Sequence, residues 1–206
     1  SLHAPTFAAR MEQNFTCGDG GWSYAGTGGV TGVAWKIDDT PAAVLPFSGK
    51  CTLNFNNGKN YCGVTVCKDK GNATGGAATM DNVVDAAGYS KITVEFRSYN
   101  GTEMGESSWE EYDQTFLQVS TDGFAGCSAT STSCGENGAD CNTAGTKTYT
   151  MPKNKEVMNK WVKQTLDATQ LAGKKFTLRF RFATCDDSYN DHPGWFVDDL
   201  RVYGKK

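Results

Sequence analysis

Apolar and polar residues alternate with a period of two through several short segments, the signature of half-buried β-strands. The cleanest is Phe176-Thr-Leu-Arg-Phe-Arg-Phe182, in which Phe176, Leu178, Phe180 and Phe182 share one face and Thr177, Arg179 and Arg181 the other. Lys91-Ile-Thr-Val-Glu-Phe-Arg97 repeats the pattern, with Ile92, Val94 and Phe96 inward and Thr93, Glu95 and Arg97 outward. Strands are also expected at 33–37, 52–55, 115–119 and 195–203. Asn56-Asn-Gly58 and Ser120-Thr-Asp-Gly123 read as turns. The Gly-, Ala-, Thr- and Asn-rich stretch 67–80 reads as loop, and one short helix is expected around Lys155–Val162. Many short strands, long connections and no long helix predict an antiparallel β-sandwich of jelly-roll type.

Residues 1–11 read as a leader or linker, and 12–204 as one domain. A chain of 206 residues is a normal size for a single all-β domain. Its 24 glycines against 5 prolines suit strands joined by glycine turns. No stretch has the length and apolarity of a transmembrane helix. No signal-peptide pattern opens the chain, so any such peptide is expected to have been removed.

Around 124–155 the strand pattern breaks. Three of the eight cysteines (Cys127, Cys134, Cys141) fall there among Gly, Ser, Thr and Asn, which reads as a disulfide-pinned surface insertion. The other cysteines are Cys17, Cys51, Cys62, Cys67 and Cys185. No CxxC pair exists and there are only two histidines, so zinc is disfavoured and disulfides in an oxidising, extracellular compartment are expected. Connectivity is not fixed by spacing, although Cys62 and Cys67 can close a small loop and two of the three insertion cysteines can staple it.

Four segments together resemble a known family. They are Gly21-Trp22 with the later Trp35, Glu111-Tyr-Asp-Gln-Thr-Phe-Leu-Gln-Val-Ser-Thr-Asp-Gly123, Leu171-Ala-Gly-Lys-Lys-Phe-Thr-Leu-Arg-Phe-Arg-Phe182, and Gly194-Trp-Phe-Val-Asp-Asp-Leu-Arg-Val202. The pattern is similar to the jelly-roll accessory domains of secreted bacterial peptidases, of the immune-inhibitor-A-like and bacillopeptidase-like kinds. It is more distantly similar to MAM domains and carbohydrate-binding jelly rolls. The cysteine-rich insertion departs from the pattern. The resemblance implies two packed antiparallel sheets, often a structural calcium ion, and binding or scaffolding in place of catalysis.

Calcium has a residue-level argument as well. In the last strand Asp198 has the parity of Phe196, Leu200 and Val202, so its carboxylate is expected to point inward, where it needs a partner, a proton or a cation. The resemblance places Glu12 of the first strand beside it as a second ligand. The plainer alternative is that Asp198 caps backbone amides or pairs with an arginine. The acidic loop Asp186, Asp187, Asn190, Asp191 is read as solvated, the alternatives being another calcium site or, with Asp187, part of a ligand rim; its spacing is not that of an EF-hand.

The outward residues Glu95, Arg97, Gln118, Arg179 and Arg181 are candidates to line one sheet face. With Tyr99, Trp109 or Tyr112 as an aromatic wall, they make a sugar platform on which planar rings stack while polar groups read hydroxyls. The competing reading is ordinary cross-strand charge pairing. Trp22, Trp35 and Trp195 are assigned to the core. The formal glycosylation sequons at Asn14, Asn72 and Asn100 are read as chance if the source is bacterial. Twenty Lys and Arg against 23 Asp and Glu give a net charge of −3, which disfavours nucleic acid.

Neither histidine, His3 nor His192, sits in a GxSxG, HExxH or other catalytic motif, and no paired-carboxylate strand motif occurs. The sequence therefore predicts a secreted, calcium-stabilised, non-catalytic module that binds a glycan or cell-surface polymer. The alternative is a protein-docking or structural domain of a larger secreted peptidase, with a jelly-roll polysaccharide lyase or hydrolase ranked below both.

Overall fold

The computed structural model describes residues 7–18, 20–26, 32–39, 44–65, 67, 71–104, 112–135 and 140–206. Twelve strands run in chain order: β1 (Phe7–Gln13), β2 (Trp22–Gly26), β3 (Ala34–Asp38), β4 (Thr52–Asn56), β5 (Gly75–Met80), β6 (Val84–Asp85), β7 (Lys91–Gly101), β8 (Gln114–Ser120), β9 (Thr146–Thr150), β10 (Trp161–Asp167), β11 (Lys175–Ala183) and β12 (Gly194–Lys205). They form two six-stranded sheets in which every pairing is antiparallel. The first has the order β10-β7-β12-β4-β3, with β1 also on β12; the second has β2-β5-β11-β8-β9, with β6 also on β11. This is the expected all-β sandwich.

The core lies between the sheets and follows the alternation of the sequence. Phe176, Leu178, Phe180 and Phe182 of β11 meet Ile92, Val94 and Phe96 of β7, and Trp195 and Val197 of β12. Phe180 sits at the centre, with ring centroids of Phe96 at 5.1 Å, Trp195 at 5.6 Å and Trp22 at 5.9 Å. Offset and edge-on aromatic pairs of this kind add to the gain from burial. Trp22, Trp35 and Trp195 are all buried, as expected for core residues.

Three elements differ from expectation. β1 begins inside the stretch read as a leader. β5 occupies part of the stretch read as loop, because its Gly75-Gly-Ala-Ala78 start carries no strand-forming side chains. The space explains the choice: a Cβ at Gly76 would lie 2.7 Å from the Ala25 carbonyl and 2.9 Å from the Phe55 ring. The helix expected at Lys155–Val162 is absent; turns at 154–160 lead into β10, an edge strand paired with β7.

All eight cysteines are paired: Cys17–Cys51, Cys62–Cys67, Cys127–Cys141 and Cys134–Cys185. The first two of the insertion's cysteines thus serve different ends. Cys127 closes the insertion on itself through Cys141, and Cys134 ties it to the end of β11 through Cys185. No helix of the described residues is long and apolar enough to cross a membrane. Four disulfides in a β-sandwich fit an extracellular protein.

Candidate functional site

The residues expected to share one face divide between two. Glu95 and Arg97 lie on the outer face of the first sheet, whereas Gln118, Arg179 and Arg181 lie on the outer face of the second. The latter three point away from the core as expected, yet they are buried, with Arg181 0% and Arg179 3% exposed. The insertion folds back over them. Arg179 bonds Gln118 Oε1 at 2.7 Å and the carbonyls of Cys127 and Ser128 at 3.3 and 3.1 Å. Arg181 bonds the carbonyls of Ser128, Gly76, Phe182 and Ser131. Gln118 donates in turn to Thr148 Oγ1. Burial pulls Arg179 down to about 10 and Arg181 down to about 9, so both stay charged at neutral pH. These side chains hold the insertion; as a ligand platform they are corrected, because their donors are spent on the chain itself.

The first sheet keeps an accessible outer face, and a second element shapes it. Residues 44–50 cross that face as a strap. The Leu45 carbonyl accepts from Trp161 Nε1 at 3.0 Å on β10. The Phe47 ring lies 6.0 Å from Trp161 and 4.3 Å beneath the Arg97 guanidinium of β7. The Ser48 amide donates to Asp198 Oδ2 on β12 at 2.9 Å, and its hydroxyl donates to Asp199 Oδ1 at 2.5 Å. Beneath the strap Tyr99 packs edge-on against Trp161 at 5.8 Å and Phe196 at 5.8 Å. Phe47 is 42% and Leu45 80% exposed, so the ridge presents apolar surface to solvent.

Beside this ridge is a cleft of about 410 Å³ lined by Glu12, Ser48, Glu95, Arg97, Lys163, Asp199 and Arg201. Glu95 bonds Lys163 at 2.7 Å and Glu12 bonds Arg201 at 2.7 Å. Glu95 also accepts from the Tyr203 hydroxyl at 3.3 Å. Glu95 is paired across the strands, with Lys163 and not with an arginine of its own face.

Asp198 is buried, though on the other side of the sheet from the one its spacing indicates. A bulge between Asp198 and Arg201 interrupts the β12–β7 register, and Asp199 there adopts φ 47°. A bulge of this kind resets side-chain parity. Trp195, Val197, Leu200 and Val202 therefore enter the core, while Phe196 and Asp198 turn outward beneath the strap. Asp198 accepts the amides of Ser48 and Asp199, at 2.9 and 2.8 Å. Burial pushes its carboxyl up to about 6 against the pull of those amides. Glu12 is on the neighbouring strand, opposite Arg201, and its carboxylate is spent on that arginine. Among the described residues no group of three or more His, Cys, Asp or Glu is arranged to hold a metal ion.

The remaining candidates lie elsewhere. Trp109 falls outside the described residues. Tyr112 is half-buried, its carbonyl accepting from Lys153 Nζ at 2.5 Å. Asp187 sits in the β11–β12 loop, where it accepts from the Ser188 hydroxyl at 3.3 Å. Of the suggested aromatic wall, Tyr99 shares the face of Arg97 and Tyr112, the other described member, does not. Phe47, Trp161 and Lys163 were missed: Phe47 stands in no periodic segment, and the other two were read at or beyond the end of a helix.

No family model matches this sequence, and no curated protein does. Among solved structures, the chain is similar to a K2 cleaved adhesin domain of Lys-gingipain, at 11% identity and TM-score 0.49, covering 93% of this chain and 96% of that one. It is similar to a xylan-binding domain from carbohydrate-binding module family 22, at 11% identity and TM-score 0.43, covering 96% and 95%. It is also similar to the glycoside hydrolase domain of Endo-D from Streptococcus pneumoniae R6, at 15% identity and TM-score 0.47, covering 90% of this chain and 22% of that one. A tailspike protein 4 domain from bacteriophage CBA120 is likewise matched over 19% of its length, so the chain spans about a fifth of these last two proteins. At these scores the likenesses decide nothing about ligand; the fold rests on the strand pairings themselves.

Proposed function

We propose that this chain is an extracellular, non-catalytic binding module that takes a glycan or cell-surface polymer on the outer face of its first sheet. One observation carries the reading: an exposed Phe47 ring, set against a half-buried Trp161 that in turn packs on Tyr99, stands beside a cleft whose floor is charged and polar. Sugar rings present flat apolar faces and hydroxyl edges. A stacking surface next to fixed donors and acceptors suits both. The neutralisation of Glu12 and Glu95 by bases at 2.7 Å supports binding in place of acid–base hydrolysis, which needs two carboxylates free to act.

A glycan array of the oxidised protein and of Phe47→Ala tests this reading. Selective, saturable binding that weakens in the variant supports it. A blank array from folded protein favours the second reading, a docking surface for another secreted protein such as a peptidase, for which Leu45 and Phe47 supply apolar contact.

A structural calcium ion at Asp198 belongs to the same proposal. What supports it is a buried carboxylate with no ion pair among the described residues. The described side chains give the ion Asp198 and its neighbour Asp199, not Glu12, so backbone carbonyls would have to supply most of its shell.

A further inference from the structure

Two cations face each other on the floor of the cleft. Arg97 of β7 and Lys163 of β10 are directly opposed in the strand register. Like charges so placed destabilise a sheet. Lys163 is compensated by Glu95 at 2.7 Å. Arg97 makes no ion pair or hydrogen bond among the described residues, although Asp198 of β12 stands opposite it on the other side; its guanidinium lies over the Phe47 ring at 4.3 Å. It is half-buried and lines the cleft, so its N–H donors face a concave space instead of open solvent. A guanidinium stacked on an aromatic ring is held flat, with its forked edge available for a planar bidentate acceptor. Arg97 covers one face of the Phe47 ring, so a sugar resting against the exposed edge of that ring would lie beside the guanidinium.

We propose that Arg97 recognises the carboxylate of an acidic sugar, making the ligand class a uronic-acid polysaccharide. This rests on the glycan reading of the same face. Lys163 adds charge beside it, and the Glu95–Lys163 pair sets the lateral position of the sugar ring.

The test is a titration with oligogalacturonate, with a neutral xylo-oligosaccharide and with dextran sulfate, followed by calorimetry on wild type, Arg97→Ala and Arg97→Lys. Oligogalacturonate should bind most tightly and weaken as salt rises. Arg97→Ala should weaken it at least about tenfold while lowering the melting temperature by no more than a few degrees, the loss of its contact with Phe47, and Arg97→Lys should restore little, since an ammonium cannot bind bidentately. Equal or tighter binding of the neutral oligosaccharide, insensitive to Arg97→Ala, overturns the inference while leaving the glycan face standing. Dextran sulfate bound as tightly as the uronate overturns the carboxylate assignment. Folded protein that binds none of the three overturns both this inference and the glycan reading beneath it.

Discussion

The amide of Ser48 donates to Asp198 Oδ2 at 2.9 Å across 150 residues of sequence. With the Ser48 hydroxyl on Asp199, it clasps the strap to β12 and so fixes where Phe47 stands. Removing the acceptor leaves two half-buried amides to water or to no partner, which costs about 1 kcal/mol, towards the low end for a lost hydrogen bond. Asp198→Ala should lower stability by about that much in chemical denaturation and weaken ligand binding. Asp198→Asn, which keeps one acceptor oxygen, should lose less of both. Binding unaffected by either variant would separate the clasp from the site.

Calcium should raise the melting temperature and EDTA lower it if an ion is held at Asp198, and Asp198→Ala should erase the difference. Calcium at 100 times its dissociation constant is worth about 2.7 kcal/mol, well within reach of a thermal melt. A melt indifferent to calcium and EDTA removes the ion from the proposal and leaves the amide clasp as the whole role of Asp198.

Arg181 should be the strongest single anchor of the insertion. Its guanidinium meets four carbonyls and is fully buried. Arg181→Ala strands those acceptors and should cost at least about 2 kcal/mol. Arg181→Lys should not recover it, because one ammonium cannot span the same fork. Limited proteolysis should then cut within the insertion first. A variant as resistant and as stable as wild type would mean that the two disulfides hold the insertion unaided.

Stability should fall as pH rises from about 4 to about 8. Asp113 is fully buried, bonded by the Tyr61 hydroxyl and the Glu103 amide, and burial pushes its carboxyl up to about 8 against the opposing pull of Lys153. Its folded state holds a proton that the unfolded chain releases near pH 4. The stabilisation it gives is therefore complete below about 4 and lost as pH climbs through 8. Melts of wild type and Asp113→Asn across this range check it. The variant should show a flatter profile, and identical slopes would place the linkage elsewhere.

Strands whose two faces meet different environments were legible in the sequence. β11 and β7 alternate cleanly because one face of each meets the core. β10 was not: Trp161, Val162 and Leu166 follow neither a helical nor a strand period, since the outer face of this edge strand carries Trp161 against the ridge. Asp198 was read onto the wrong side because nothing in Val-Asp-Asp-Leu announces a bulge, and parity counted straight through it inverts. Glu95 and Arg97 were placed on an outer face correctly. Arg179 and Arg181 were too, but the period of a strand says which way a side chain leaves the sheet, not whether 50 residues away the chain returns to cover it. Phe47 and Leu45 lie in no regular element, so only their contacts with Trp161 and Arg97 reveal them.

The most direct measurement is an amide chemical-shift titration of the labelled protein with the glycan that binds most tightly on the array. Shifts should concentrate in 44–50, 95–99, 161–165 and 199–201, the strap and the cleft of the first sheet. Shifts confined to the second sheet or to its insertion, or none at saturating glycan, would contradict a sugar-binding face built by Phe47, Trp161 and Arg97.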